Sequence, residues 1–158
     1  MIIKGLIDED FVNYKKPCMT IEMPLCSFKC DKECGRSVCQ NSELAAASNI
    51  FIDCSSIVDR YINNDITSAI VFQGLEPFDT WDDLLLCINT LRQKTNDDIV
   101  IYTGYTEEEA HFWVYFLKGL YKNIIIKFGR FIPDQQPHYD EILGVELASD
   151  NQYAKRIS

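Results

Sequence analysis

Cysteine is concentrated in one stretch of this chain. Cys26-Ser27-Phe28-Lys29-Cys30-Asp31-Lys32-Glu33-Cys34-Gly35-Arg36-Ser37-Val38-Cys39-Gln40-Asn41 holds four of the seven cysteines. Lys29, Lys32 and Arg36 lie among them, in a chain of formal net charge −9. Cations lower thiol pKa values, and the thiolate is the form that binds metal. Thiolates select soft partners, so the stretch reads as a loop that holds a metal or an iron–sulfur cluster. A structural zinc would take all four thiolates in a tetrahedral site. Zinc ribbons, however, space their ligands as two separated C-x2-C pairs, whereas here all four cysteines are compressed into one run without such a pair. The spacing favours a cluster and leaves a zinc-stabilised four-cysteine binding module as the alternative from another class.

The rest of the composition bounds the answer. The chain has 158 residues, 47% of them apolar, which is enough for a single domain, 1–158, with a real core. Its acidity argues against a nucleic-acid partner, which needs a basic face. Met1-Ile2-Ile3-Lys4 does not open a secretory signal, and no apolar run approaches the ~20 residues of a membrane span. The expectation is a cytoplasmic protein with reduced thiols and no membrane contact. Cys18, Cys54 and Cys87 lie in apolar surroundings and read as core. His111 and His138 are the only histidines, and no nucleophile triad, phosphate-binding glycine loop or two-histidine zinc motif supports a hydrolase.

The elements that must position the cysteines follow from periodicity. Ile2 to Ile7 predicts an edge strand, with Asp8-Glu9-Asp10 as a turn. Cys18–Met23 predicts a strand that Pro24 ends, directly before the cysteine loop. Helices are predicted over Ser42–Ala47, Ser55–Asn63 and Trp81–Lys94, the last capped by Thr80 with Asp82 and Asp83 in its first turn. A fourth helix opens on the capping box Thr106-Glu107-Glu108-Glu109, carries Phe112, Trp113, Phe116 and Leu117 as core, and stops at Gly119. Ser68–Phe72, Ile99–Tyr102 and Ile124–Phe128 are short apolar runs of the kind buried on both faces of a parallel sheet. Gly144-Val145-Glu146-Leu147 predicts a last short strand. Strands alternating with helices imply an α/β fold with β-α-β units. A full eight-unit barrel takes ~250 residues, so the expectation is a partial, open β/α barrel with a mostly parallel sheet of about five or six strands. Sites in such sheets lie on the loops after the strands. The cysteine loop, Gln73–Phe78, Thr103-Gly104-Tyr105 and Gly129-Arg130-Phe131 all occupy that place.

Five stretches, taken in order, resemble a known family. Cys26-x3-Cys30 together with the C-x-N triplet Cys39-Gln40-Asn41 resembles the cluster loop of radical S-adenosylmethionine (radical SAM) enzymes, whose usual pattern is C-x3-C-x2-C. This chain departs from it: the third ligand is Cys39 after x8, favoured by the apolar Val38 before it and the C-x-N after it, or else Cys34 after x3. Gln73-Gly74-Leu75-Glu76-Pro77 resembles the family's G-G-E-P motif, with Gln73 in place of a glycine and Leu75 inserted. Thr103-Gly104-Tyr105-Thr106, Gly129-Arg130-Phe131 and Ser149-Asp150-Asn151-Gln152 are similar to segments of the activating proteins of anaerobic ribonucleotide reductase. The bland alternatives are βα turns, a surface arginine and a polar tail. The resemblance implies a 4Fe-4S cluster on Cys26, Cys30 and Cys39 (or Cys34), whose open iron is chelated by S-adenosylmethionine. It implies that Gly74, Leu75, Glu76, Thr103 and Arg130 help to bind that cofactor. It further implies an anaerobic ribonucleotide reductase as the partner that receives a glycyl radical, and a flavodoxin- or ferredoxin-like electron donor. A radical SAM enzyme acting on a small molecule, similar to a deazapurine synthase, is the alternative within the family.

Overall fold

Runs such as Ala69-Ile70-Val71-Phe72 and Ile124-Ile125-Ile126 carry β-branched and aromatic side chains on both faces, which suits strands covered from above and below. The computed structural model describes residues 1–158. In chain order its strands are β1 (Ile2–Ile3), β2 (Gly5–Asp10), β3 (Cys18–Met23), β4 (Ile50–Phe51), β5 (Ala69–Gly74), β6 (Asp98–Tyr102), β7 (Ile124–Phe128), β8 (His138–Asp140), β9 (Val145–Leu147) and β10 (Tyr153–Arg156). The helices are α1 (Lys29–Cys34), α2 (Ser42–Ala46), α3 (Cys54–Ile62), α4 (Trp81–Arg92) and α5 (His111–Leu120). No helix is long and apolar enough to cross a membrane.

Six strands form one mixed sheet in the order β10-β7-β6-β5-β3-β2. The central four, β3, β5, β6 and β7, are parallel, and an antiparallel strand flanks them on each side. The sheet does not close, so β2 and β10 remain its edges. β8 and β9 pair as a separate antiparallel hairpin, and β1 pairs with β4.

The two faces of the sheet have different partners. Met19, Ile21, Met23, Ile70, Phe72, Ile99, Ile101, Ile124, Ile126 and Phe128 point to the helices, where Ile57, Val58, Leu84, Ile88, Leu91 and Leu117 meet them in the main core. On the other face Cys18, Ala69, Val71, Val100 and Ile125 pack against Tyr14, Leu143 and Leu147 in a smaller core. That second core fills only the lower part of the face. Above it, towards the carboxyl ends, Glu22 pairs in register with Gln73 and Tyr102 with Lys127. A polar row therefore crosses the parallel strands where the apolar plug stops.

Several elements differ from the expectation. Asp8-Glu9-Asp10 continues β2 instead of turning, because Asp10 is buried and accepts hydrogen bonds from Thr20, Val12 and Asn13. Val145–Leu147 is not the last strand; β10 follows it and takes the edge beside β7. In α5, Phe112 is exposed and Leu117 is the buried residue, while Trp113 and Phe116 are half-buried and pack on Phe78 and Trp81.

At the amino end of β6, Asp98 is buried and accepts hydrogen bonds from Lys16 (2.6 Å), Arg156 (2.9 Å) and the Tyr14 hydroxyl (3.0 Å). Burial alone would raise its pKa, but these donors outweigh burial and hold it below 3.8. Asp98→Asn should cost about 1–2 kcal/mol, discounted because both cations are half-exposed. The sign follows from the depressed value: the contribution is complete above the unfolded carboxylate pKa and fades as pH falls through the folded one. Thermal melts should therefore show a gap between wild type and variant at neutral pH that narrows in acid.

Candidate functional site

The loops that leave β3, β5, β6 and β7 all emerge at one side of the sheet and enclose a cavity of about 380 Å³. That size lies in the range of small-ligand sites, ~300–1,000 Å³. Cys26, Cys30 and Cys39 line it, and so do Gly74, Leu75, Glu76, Thr103 and Arg130. Every site residue expected from the sequence thus reaches one cavity, save Cys34, which does not line it. Lys127, Glu22, Gln73 and Tyr102 form part of the lining as well. Sequence reasoning gave none of these four a role; a lysine interrupting the apolar run of β7 was the available signal.

The cysteine loop is folded by its own polar residues. Phe28, at φ 52°, turns the chain into α1, and Gly35, at φ 66°, turns it out again. Asp31 then closes the loop: its Oδ1 accepts the amides of Val38 (2.7 Å) and Cys39 (2.8 Å). One carboxylate so draws Cys39 back across the intervening residues to Cys30. The Ser27 amide donates to Asp79 Oδ2 at 2.7 Å, and the Asn41 side chain donates to the Gly74 carbonyl, so both ends of the loop are fastened to the segment after β5.

Two of the three cavity thiols, Cys30 and Cys26, are shifted towards the protonated form. Burial first, then the Cys39 sulfur, pushes Cys30 up to about 12. Burial also raises Cys26, against the lowering effect of the Phe28 amide, which donates to its sulfur at 3.2 Å. The loop's cations do not offset this, contrary to the sequence expectation. Lys29 pairs with Glu109 at 3.1 Å and lies 4.3 Å above the Tyr105 ring, Arg36 pairs with Asp134, and Lys32 is exposed. Such thiols ionise readily only when a metal cation replaces their protons.

Glu76 joins two of the loops. Its Oε1 accepts the Thr103 hydroxyl (2.7 Å) and the Phe78 amide (3.1 Å), and its Oε2 accepts the Gly104 amide (2.8 Å). Burial dominates these bonds and raises the carboxyl to about 7. Gly74, at φ 87°, makes the turn before it, and a Cβ there would stand 2.8 Å from Leu44 Cδ2 and 3.1 Å from Glu22 Cβ. The reciprocal bonds of the expected capping box are present, the Thr106 amide donating to Glu109 Oε2 (2.9 Å) and the Glu109 amide to Thr106 Oγ1 (3.2 Å), but the helix does not open there: α5 begins at His111, after a turn. Glu109 also takes Arg130, whose Nη2 donates to both its oxygens at 2.8 Å; Glu33 lies 3.5 Å from Arg130 Nε. That Nε is buried without a hydrogen-bond partner. The tail closes the far side, with Asn151 donating to the Arg130 carbonyl and Gln152 to the Gly129 carbonyl.

The donor set fits an iron–sulfur cluster in kind. All seven cysteines are free, and three of them share a cavity wall. No three His, Cys, Asp or Glu side chains converge on a single point as a lone metal ion needs. A cluster spreads its thiolates over separate irons and does not demand that convergence, whereas zinc holds four sulfurs at ≈ 2.3 Å from one centre.

The Asp31 clamp is testable on the chain by itself. Asp31→Ala should release Cys39 and raise its alkylation rate about a hundredfold or more, in line with two charge-assisted bonds lost. Asp31→Asn, whose amide oxygen can still accept both amides but without the charge, should fall between wild type and Asp31→Ala; the readout is peptide mapping after brief alkylation. Comparison of the chain with protein-family models, with curated proteins and with solved structures returns no match.

Proposed function

We propose that this chain is a radical SAM enzyme, a small activase that generates a glycyl radical on an anaerobic ribonucleotide reductase. The observation that carries the reading is the placement of Cys26, Cys30 and Cys39 on one wall of the cavity that also holds Gly74, Glu76 and Thr103, with Cys34 outside it. When bound, a 4Fe-4S cluster with one open iron supplies the electron that splits S-adenosylmethionine into methionine and a 5′-deoxyadenosyl radical.

The chain's own residues serve that chemistry by position. Asp31 brings the third thiol to the first two. Asp79 and Asn41 fasten the thiol loop to the segment after β5, so that the thiols and the ligand pocket keep one geometry. Glu76 locks the loops after β5 and β6 together, which makes the wall facing the ligand stiff. Apolar Leu143 and Leu147 seal the lower face and keep water out from beneath. A cavity ringed by loops suits a substrate loop offered by a protein partner. A flavodoxin- or ferredoxin-like donor would supply the electron.

The decisive experiment is anaerobic reconstitution of wild type and of the four single Cys→Ala variants at positions 26, 30, 34 and 39. Iron, sulfide and reductive cleavage of S-adenosylmethionine are measured. Wild type and Cys34→Ala should hold a four-iron cluster and cleave the cofactor, and the other three should lose cleavage by at least about 100-fold, the scale of a lost metal ligand shell. Zinc without iron or sulfide in wild type would remove the enzyme reading. Full activity in Cys39→Ala with loss in Cys34→Ala would move the third ligand. With a glycyl-radical reductase added, a radical signal on that partner separates this reading from action on a small molecule.

A further inference from the structure

Lys127 stands in β7 among Ile124, Ile125, Ile126 and Phe128, and like them it is buried, 7% exposed. An ammonium in such a place is costly unless paired. Its Nζ donates to the Gly129 carbonyl at 2.7 Å, which uses one of its three N–H bonds. None of the chain's ion pairs includes it. Glu76 is close enough to favour its charge, but the Glu76 oxygens are turned to Thr103, Gly104 and Phe78. Burial draws the ammonium down to about 8. The side chain lines the cavity, on the sheet face that lacks helices.

Arg130, which the resemblance set among the cofactor-binding residues, is placed differently. Its charge is already met by Glu109 and, more loosely, by Glu33. Lys29, the third cation of the lining, is likewise paired with Glu109, so the cavity holds two matched cations and one unmatched cation. Resting on the radical SAM reading above, we infer that Lys127 is the anion-recognition point of the cavity and binds the carboxylate of S-adenosylmethionine. One ammonium with two unspent N–H bonds matches the single charge of a carboxylate. A phosphate of charge near −2 calls for several free cations, and here the other two, Lys29 and Arg130, are engaged with Glu109.

The test compares S-adenosylmethionine with its decarboxylated analogue, which keeps the adenosyl, sulfonium and amine but lacks the carboxylate. Equilibrium binding is measured anaerobically on cluster-loaded wild type, Lys127→Met and Arg130→Gln. Wild type should prefer the carboxylated ligand. Lys127→Met should lose that preference by about tenfold or more, the scale of hydrogen bonds to a charged group, and Arg130→Gln should retain it. Without ligand, Lys127→Met should melt at or above wild type, because it removes a buried charge that no carboxylate of the chain pairs. A lysine with a purely structural role would give the opposite, a lower melting point with the ligand preference intact. If Met at 127 prevents folding, Lys127→Gln carries the same comparison. Binding of S-adenosylmethionine with an unchanged preference in the variant overturns the assignment alone. Failure of cluster-loaded wild type to bind either ligand overturns the functional reading, and the assignment with it.

Discussion

Four strands lying parallel in one register all end on the same side of the sheet. That constraint decides where everything else can go. Each strand hands its loop to the same rim, so thiols from the loop after β3, a carboxylate from the loop after β5, a hydroxyl from the loop after β6 and cations from the end of β7 meet although they lie far apart in sequence. Parallel pairing needs long crossovers, and the helices of those crossovers cover one face. The other face is left for a shorter cover, the segment around Leu143 and Leu147. This cover reaches only part of the way up, and the cavity begins where it stops.

The buried charges divide along the same axis. At the amino ends, Asp98 is surrounded by Lys16, Arg156 and Tyr14, and every charge there has its counter-charge. At the carboxyl ends, Glu76 is buried to the point that its pKa rises to about 7, and Lys127 has no carboxylate partner. Polar groups satisfied within the chain contribute stability, whereas a buried ammonium without a carboxylate partner costs stability. A fold optimised for stability alone would have exchanged Lys127 for a fifth apolar residue in β7.

Much of the frame was legible because burial on both faces leaves a plain mark. Ile124–Phe128 and the run from Ala69 to Phe72 read as strands from their side chains alone, and the strands are there. The Thr106–Glu109 box was legible because two side chains three residues apart satisfy each other's amides without outside help. What was illegible depended on distant partners. β10 is polar, Tyr153-Ala154-Lys155-Arg156, and is a strand only because the open edge of β7 is there to pair with it. Asp10 extends β2 because Thr20 meets it from β3. The direction of Arg130, towards Glu109 and away from a free ligand position, likewise depends on where α5 begins. The convergence of the expected site residues on one cavity followed from the rule about strand ends, which needs only strand order and parallel sense.

The long gap between Cys30 and Cys39 is the feature least like a compact three-thiolate loop, and the geometry of Asp31 accounts for it. A spacing in sequence matters to a metal site only through the distances it permits. α1 takes the chain away from Cys30, Gly35 reverses it, and the Asp31 carboxylate anchors the returning strand by two successive amides, so Cys39 comes back to its neighbour's side. A charged acceptor with two amide donors is the kind of contact strong enough to hold such a return, at ~1.5–3 kcal/mol for each bond. Cys34, at the far end of α1, is carried outward by the same excursion. The nine-residue step is thus drawn back on itself, with the intervening residues looped out as a helix and a turn.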